Sequence, residues 1–301
     1  MEVFLICRYN LARSPFLQAL LSSHFPKINF RAAGVEAIAG RPYSSIVRKV
    51  ADSWGIQISD ENTMELESIK SELSKSDLII SADSYVANKI SELNLDVTSI
   101  NCEDYLSDPF FVPKDPDGLT LDELTRELAK VGGIALALMR RQLGIKNKFK
   151  SMAFIPNGES DFNTALLSAS MEAKARGAIL VNLDMRAKLP ISDYQMLGLE
   201  PIAFDPKELL ISGFPKVKPG SILVSDHEVI APEKLLFSPG FLKILDETLQ
   251  RQNLVAVTAP RYSAMRRIVD SYYLGPLFDE YSDRKSTRLN SSHVSESRMP
   301  S

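Results

Sequence analysis

Val3-Phe4-Leu5-Ile6 is an unbroken apolar run, and after a polar interval Phe16, Leu17, Leu20 and Leu21 recur at helical spacing. A continuous run suits a parallel strand buried on both faces, and the second pattern suits an amphipathic helix, so the chain opens as strand, tight loop, helix. Ser14 can cap that helix, and Pro15 fits its first turn, where a missing N–H costs nothing. The order then repeats. Residues 28–33 read as a second strand ending in Gly34, and Pro42-Tyr43-Ser44-Ser45 opens a helix that runs through Ala51 and stops at Gly55. Residues 77–81 form a third strand, preceded by the amphipathic stretch 64–73 and followed by a helix over 86–93; residues 97–100 are a shorter fourth strand. Leu124, Leu128, Val131, Ala135 and Leu138 mark one face of a helix over 121–143, with Gly132-Gly133 weakening its middle. Such alternation predicts an α/β fold: a doubly wound, parallel, four-stranded sheet with helices on both faces and ligands at the carboxyl ends of the strands.

The pattern starts again after a basic, polar stretch at 146–150, read as a linker. Strands are predicted over 152–155, 178–183, 222–226 and 254–258, with helices over 163–176, ended by Gly177, and over 241–252. This is a second α/β domain, spanning 151–282 after a first domain of 1–145. Its first turn, Gly158-Glu159-Ser160-Asp161-Phe162-Asn163-Thr164, is faintly similar to the phosphate-binding loop of nucleoside triphosphatases. Asn163 and Thr164 stand where that signature has Gly and Lys, so triphosphate cleavage is not expected. Asp226-His227-Glu228 has the look of a metal-site acidic pair, and Arg261, Arg266 and Arg267 could meet an anion, so a nucleotide or other anion is a possible partner of this domain. From Asp283 the sequence Asp-Arg-Lys-Ser-Thr-Arg-Leu-Asn-Ser-Ser-His resembles a translated sequencing adapter. Residues 283–301 are accordingly set apart from the fold and expected to be disordered.

Composition narrows the class. The 301 residues are 45% hydrophobic and 24% charged with a formal net charge of -3, which lacks the basic footprint of a nucleic-acid binder. Two cysteines, Cys7 and Cys102, imply no disulfide framework and fit a reducing cytoplasm. No apolar run reaches membrane-spanning length, so neither nucleic acid nor membrane is expected as a partner. The three histidines, His24, His227 and His293, are scattered and suggest no metal cluster.

The chemistry lies in the first loop, Cys7-Arg8-Tyr9-Asn10-Leu11-Ala12-Arg13-Ser14. Backbone N–H groups there point at whatever sits above the helix N-terminus, and an anion is the natural occupant. A cysteine facing that helix end and a guanidinium is expected to be a nucleophilic thiolate at neutral pH. Arg13 offers a planar two-pronged donor matched to two phosphate oxygens, which Lys could not reproduce. The pattern C-x5-R-[ST] near the N-terminus, on the first strand, resembles the signature of the low-molecular-weight protein tyrosine phosphatases. Ala32-Ala33-Gly34-Val35 is similar to that family's Ser-Ala-Gly-Thr, Gly40-Arg41-Pro42 to its Gly-x-Pro turn, and Gly55-Ile56-Gln57-Ile58-Ser59 to its Gly-Ile-x-x-Ser segment. The resemblance covers about residues 1–144.

What the resemblance implies is a phosphomonoesterase, acting on phosphoprotein or a small aryl phosphate, with Cys7 as nucleophile, Arg13 and the N–H groups from Arg8 to Ser14 as phosphate ligands, and no metal or other cofactor. Its general acid is an Asp of an Asp-Pro pair. Two candidates stand here: Asp115-Pro116, favoured by its spacing to the closing helix, and Asp108-Pro109, followed by Phe110 and Phe111, which with Tyr9 could wall an aromatic slot. Ala32 replaces an expected Ser and Glu61 an expected His, partners that normally brace Asn10 and Ser14, so a looser loop is expected. A rival is a phosphate- or phosphoprotein-sensing module without turnover. A thiol-coupled arsenate reductase fits less well, because only Cys102 remains to relay a disulfide.

Overall fold

The computed structural model describes residues 1–105, 118–145, 148–156, 161–185, 191–218, 220–229, 235–236, 238–258, 280–283 and 290–291. The chain divides into two compact units, one of Met1–Ile145 with Glu233–Pro239 and one of Lys146–Pro232 with Gly240–Ser301.

In the first unit β1 (Glu2–Cys7) is central, flanked in parallel by β2 (Asn29–Gly34) and β3 (Leu78–Ser81), with β4 (Ser99–Asn101) parallel to β3. The order is therefore β2-β1-β3-β4, with every pair parallel. Val3, Phe4, Leu5 and Ile6 are wholly buried, because alternate side chains of a central strand enter two cores. Phe4 and Ile6 pack with Leu66, Ile69, Leu73, Val86 and Ile90, which brings α3 (Lys70–Leu73) and α4 (Ser84–Ser91) to one face. α1 (Arg13–His24), α2 (Ser45–Ser53) and α5 (Leu121–Gln142) pack against one another, with Phe16 and Trp54 edge to face at 5.1 Å. The register sets Cys7 beside Gly34 and Ile6 beside Ser81, so the first loop leaves the sheet between two neighbouring strand ends.

Three expectations change. Ser14 does not cap α1: the N-cap is Ala12, without a side-chain bond, and Ser14 lies in the first turn with its hydroxyl engaged by the loop. The stretch 64–73 is only a 3-10 turn (Glu67–Ile69) followed by the short α3. Gly132 does not interrupt α5; a β-carbon there would lie 2.9 Å from Leu20 Cδ2 and 3.2 Å from Phe16 Cε1, so the glycine lets α1 and α5 approach closely. Tertiary packing here outweighs the helix propensity that glycine lacks. A capping box between Thr120 and Glu123 fixes where α5 begins.

The second unit is also α/β. β5 (Ser151–Ile155), α6 (Phe162–Arg176), β6 (Ile179–Asn182), α7 (Ile191–Met196), β7 (Glu200–Phe204), α8 (Pro206–Ser212), β8 (Ser221–Ser225), α9 (Pro239–Leu249), β9 (Leu254–Val257), β10 (Glu280–Asp283) and β11 (Asn290–Ser291) follow in order. They form a sheet ordered β11-β10-β5-β9-β6-β8-β7, antiparallel only between β10 and β11. Met152, Leu166, Leu180, Ile222 and Val255 share one core. Strand β7 was invisible in the hydrophobic pattern because it is an edge strand, half exposed and carrying Pro201, which an edge tolerates. Asp283 and β11 belong to the stretch whose sequence resembles an adapter.

Candidate functional site

β1 delivers Cys7 to the carboxyl edge of the sheet, and the backbone then turns back into α1 within a few residues. Asn10 sits at the turn with φ +54°, a left-handed conformation that its short amide side chain tolerates. Its Nδ2 donates to Ser14 Oγ at 2.9 Å, and its Oδ1 accepts from the Met64 N–H at 2.8 Å. Ser14 Oγ lies 3.0 Å from Cys7 Sγ and 3.2 Å from the Ala33 carbonyl. That hydroxyl has one proton for two acceptors: it serves Ala33 while the thiol keeps its own hydrogen, and it can turn to the sulfur of a thiolate. The expected loosening of the loop is thus met by backbone groups, Met64 N–H and Ala33 C=O, which need no side chain at position 32. Glu61 joins the surroundings differently, accepting from Gln18 Nε2 at 3.3 Å.

Gly34 allows β2 to touch the loop. A β-carbon there would fall 2.7 Å from Asn10 N and 2.9 Å from Arg8 O. Val35 N–H donates to Cys7 O at 3.1 Å and Glu36 N–H to Arg8 O at 2.8 Å, so the first half of the loop is tied to the chain leaving β2. On the other side Ala82 N–H donates to Ile6 O at 2.9 Å.

Arg13 is 2% exposed, and its Nη1 donates to Asp83 Oδ2 at 2.7 Å. Asp83 is held in turn, because its Oδ1 caps α4 by accepting from Val86 N–H at 2.9 Å. The hydrophobic pattern did not reveal Asp83. The signal was present nonetheless: a carboxylate just past the end of β3, the strand beside β1, ahead of a helix.

Cys7, Tyr9, Leu11, Ala12 and Arg13 open onto a cavity of about 470 Å³ whose walls also include Arg41, Ser44, Ile46, Val47, Gly118, Leu119 and Leu124. Tyr43 is buried nearby; desolvation pushes its hydroxyl up to about 12, with Glu61 and Cys7 adding to the rise. Burial likewise pushes the Cys102 thiol up to about 12, against the pull of Arg13, which leaves it unreactive at neutral pH. The Arg8 side chain turns to the surface, donating to Glu36 at 2.7 Å and lying over the Tyr9 and Tyr85 rings. Hydrogen bonds from Tyr85 and then from Arg8 hold the Glu36 carboxyl below its ordinary range. Of the predicted site residues, Cys7 to Ser14 are brought together; Asp108, Phe110, Phe111 and Asp115 lie outside the described residues.

In the second unit Asp205, Asp226 and His227 place one donor atom each within 4.8 Å of one another, without Glu228. They lie at the carboxyl ends of β7 and β8, where Asn182, Asp184, Asp226 and His227 also line a recess of about 90 Å³. Gly158, Glu159 and Ser160 of the loop likened to a nucleotide-binding turn, and Arg261, Arg266 and Arg267, lie outside the described residues. Among the described residues, no helix is long and apolar enough to cross a membrane.

No family model matches the chain. A probable low molecular weight protein-tyrosine-phosphatase, EpsP, of Ralstonia nicotianae is 33% identical over 81 residues, covering 27% of this chain and 54% of the relative. The protein of that name from Ralstonia solanacearum is 32% identical over 78 residues, covering 26% of this chain and 52% of the relative. The chain therefore spans about half the length of the curated relatives it matches. Among solved structures, a low molecular weight protein tyrosine phosphatase from T. tengcongensis aligns at 22% identity with a TM-score of 0.42, over 47% of this chain and 99% of that one. The Erwinia amylovora tyrosine phosphatase AmsI aligns at 20% identity with a TM-score of 0.41, over 45% of this chain and 88% of that one. The N-terminal part of the chain resembles the low-molecular-weight protein tyrosine phosphatases; the C-terminal part is not identified.

Proposed function

We propose that the N-terminal unit is a cysteine-dependent phosphatase that hydrolyses phosphomonoesters, phosphotyrosine in proteins foremost, through a phosphocysteine intermediate. The observation that carries this reading is the set Cys7–Ser14–Arg13–Asp83: a sulfur 3.0 Å from a hydroxyl, beside a buried guanidinium already oriented by a carboxylate, at the edge of a cavity. The Cys7 thiolate attacks phosphorus while the alcohol or phenol oxygen departs with a proton from the general acid. Arg13 and the loop N–H groups hold the three equatorial oxygens as charge redistributes. The Ser14 hydroxyl steadies the sulfur as leaving group in the second step, in which water, losing its proton to the same Asp, displaces it and frees phosphate.

Asp115 is favoured as that acid. What supports it over Asp108 is its spacing in sequence to the closing helix α5, which begins at Leu121. Tyr9, which lines the cavity, would select an aryl leaving group together with Phe110 and Phe111 of the sequence reading. The paired domains 1–145 and 151–282, the adapter origin of 283–301 and a cytoplasmic location for two free thiols belong to the same proposal.

Hydrolysis of an aryl phosphate by the full chain tests it, with Cys7→Ser, Asp115→Asn and Asp108→Asn in parallel. Loss of turnover in Cys7→Ser, and a far larger loss for Asp115→Asn than for Asp108→Asn, is expected. Vanadate binding without turnover by the unmodified chain would replace the enzyme with a phosphate-sensing module.

A further inference from the structure

Arg41 lines the same cavity as Cys7 and Arg13, yet the proposed chemistry gives it no task. Its backbone is fixed on both sides, its N–H donating to Thr63 Oγ1 at 2.9 Å and its carbonyl accepting from Thr63 N–H at 2.7 Å, beside the Pro42–Asn62 bridge. Gly40, at φ +81°, makes the turn that brings the chain there. The side chain is exposed and, among the described residues, has neither an ion pair nor a side-chain hydrogen bond. Four other arginines of this unit are each paired: Arg8 with Glu36, Arg13 with Asp83, Arg31 with Glu72 and Arg48 with Asp60. Among the described residues that line the cavity none is acidic, and the Arg41 guanidinium has no acidic partner there.

We propose that Arg41 is a specificity residue that pairs with a second anionic group on the substrate, a carboxylate side chain flanking the phosphorylated residue of a protein. The inference rests on the phosphatase reading above. Arg13, buried at the loop, belongs to the reacting phosphate; Arg41, exposed on a pinned turn, is out in solvent where a neighbouring peptide side chain would pass. Leu11, Ile46 and Leu119, also in the walls, accept the apolar body of an aromatic residue, and among the described lining residues Arg41 and Arg13 are the cations. An exposed ion pair of this kind discriminates by a few-fold and is screened by salt.

The test uses two phosphotyrosyl peptides that differ only in one flanking residue, Glu or Gln, at low and high salt. The full chain is expected to hydrolyse the Glu peptide with a kcat/KM about threefold higher at low salt, mostly through KM. The preference should vanish at high salt and in Arg41→Gln, and invert in Arg41→Glu. Equal kcat/KM for the two peptides, or a preference that survives Arg41→Gln, overturns the proposal and leaves the phosphatase intact. If neither peptide is turned over, the phosphatase reading fails. The dissociation constants of the same peptides on Cys7→Ser and on Cys7→Ser/Arg41→Gln then decide separately: a Glu preference abolished by the second change supports the role of Arg41, and equal or absent binding rejects it.

Discussion

Asp83 Oδ2 accepts a hydrogen bond from Arg13 Nη1 at 2.7 Å across 70 positions of sequence, and the same carboxylate caps α4 through its other oxygen. One side chain therefore orients the phosphate-binding guanidinium and fixes the start of a helix. Asp83→Ala should lose both, lowering stability by about 3 kcal/mol because a buried charge loses its partner. Asp83→Asn keeps an oxygen for Val86 N–H and should cost less. Both should weaken vanadate binding, and urea unfolding alongside vanadate titration separates the two effects; equal stability of the two variants would show that the ion pair with Arg13, and not the cap, carries the loss.

Gly34→Ala puts a methyl 2.7 Å from a loop nitrogen. Backbone cannot rotate away as a side chain can, so the loop must shift. A displacement of about 1 Å there is expected to cost on the order of a hundredfold in turnover, with a stability loss of about 1–3 kcal/mol. Initial rates and thermal unfolding check this together.

Asn10 separates conformation from hydrogen bonding. Asn10→Gly tolerates φ +54° but loses the bonds to Ser14 and Met64, whereas Asn10→Ala loses the bonds and strains the backbone. The alanine variant should be less stable than the glycine variant by about 1 kcal/mol. Ser14→Ala, by contrast, should fold and show slowed hydrolysis of phosphocysteine, read as accumulation of labelled enzyme in a quench experiment.

The buried Cys102 thiol and Tyr43 hydroxyl, both held up to about 12, make alkaline stability predictable. Each ionises more readily in the unfolded chain, so its contribution is complete below the unfolded value, near 9 for the thiol and 10 for the phenol, and is lost as pH rises through 12. Unfolding free energy should fall between those values, on the order of 4 kcal/mol from Cys102 alone, and Cys102→Ala should flatten the decline. At neutral pH an alkylating reagent should modify Cys7, with protection by phosphate, and spare Cys102 until the chain is unfolded.

β1 and β3 were legible because a strand buried on both sides writes itself as an apolar run, and the anion loop because its backbone demands particular residue types. Asp83 was hidden because its role depends on β3 lying beside β1, a pairing that no local pattern states. Ser14 was assigned to the helix cap because its local chemistry permits it, while the fold engages it with Cys7 instead. β7 was missed because an edge strand with Pro201 lacks alternation. Gly132 looked like a flaw in α5, since propensity sees the helix alone and not the helix packed against it.

That glycine makes the contact between α1 and α5 a calibration surface. Phe16 and Leu20 belong to the helix whose first turn holds Arg13 and Ser14, and they rest where position 132 has no side chain. A methyl group added on α5 would meet the ends of the Leu20 and Phe16 side chains, which can turn aside where the backbone beside Gly34 cannot. The seam between the two helices is therefore the more forgiving of the two glycine contacts, and a change there is expected to be read in packing and stability before it is read in turnover.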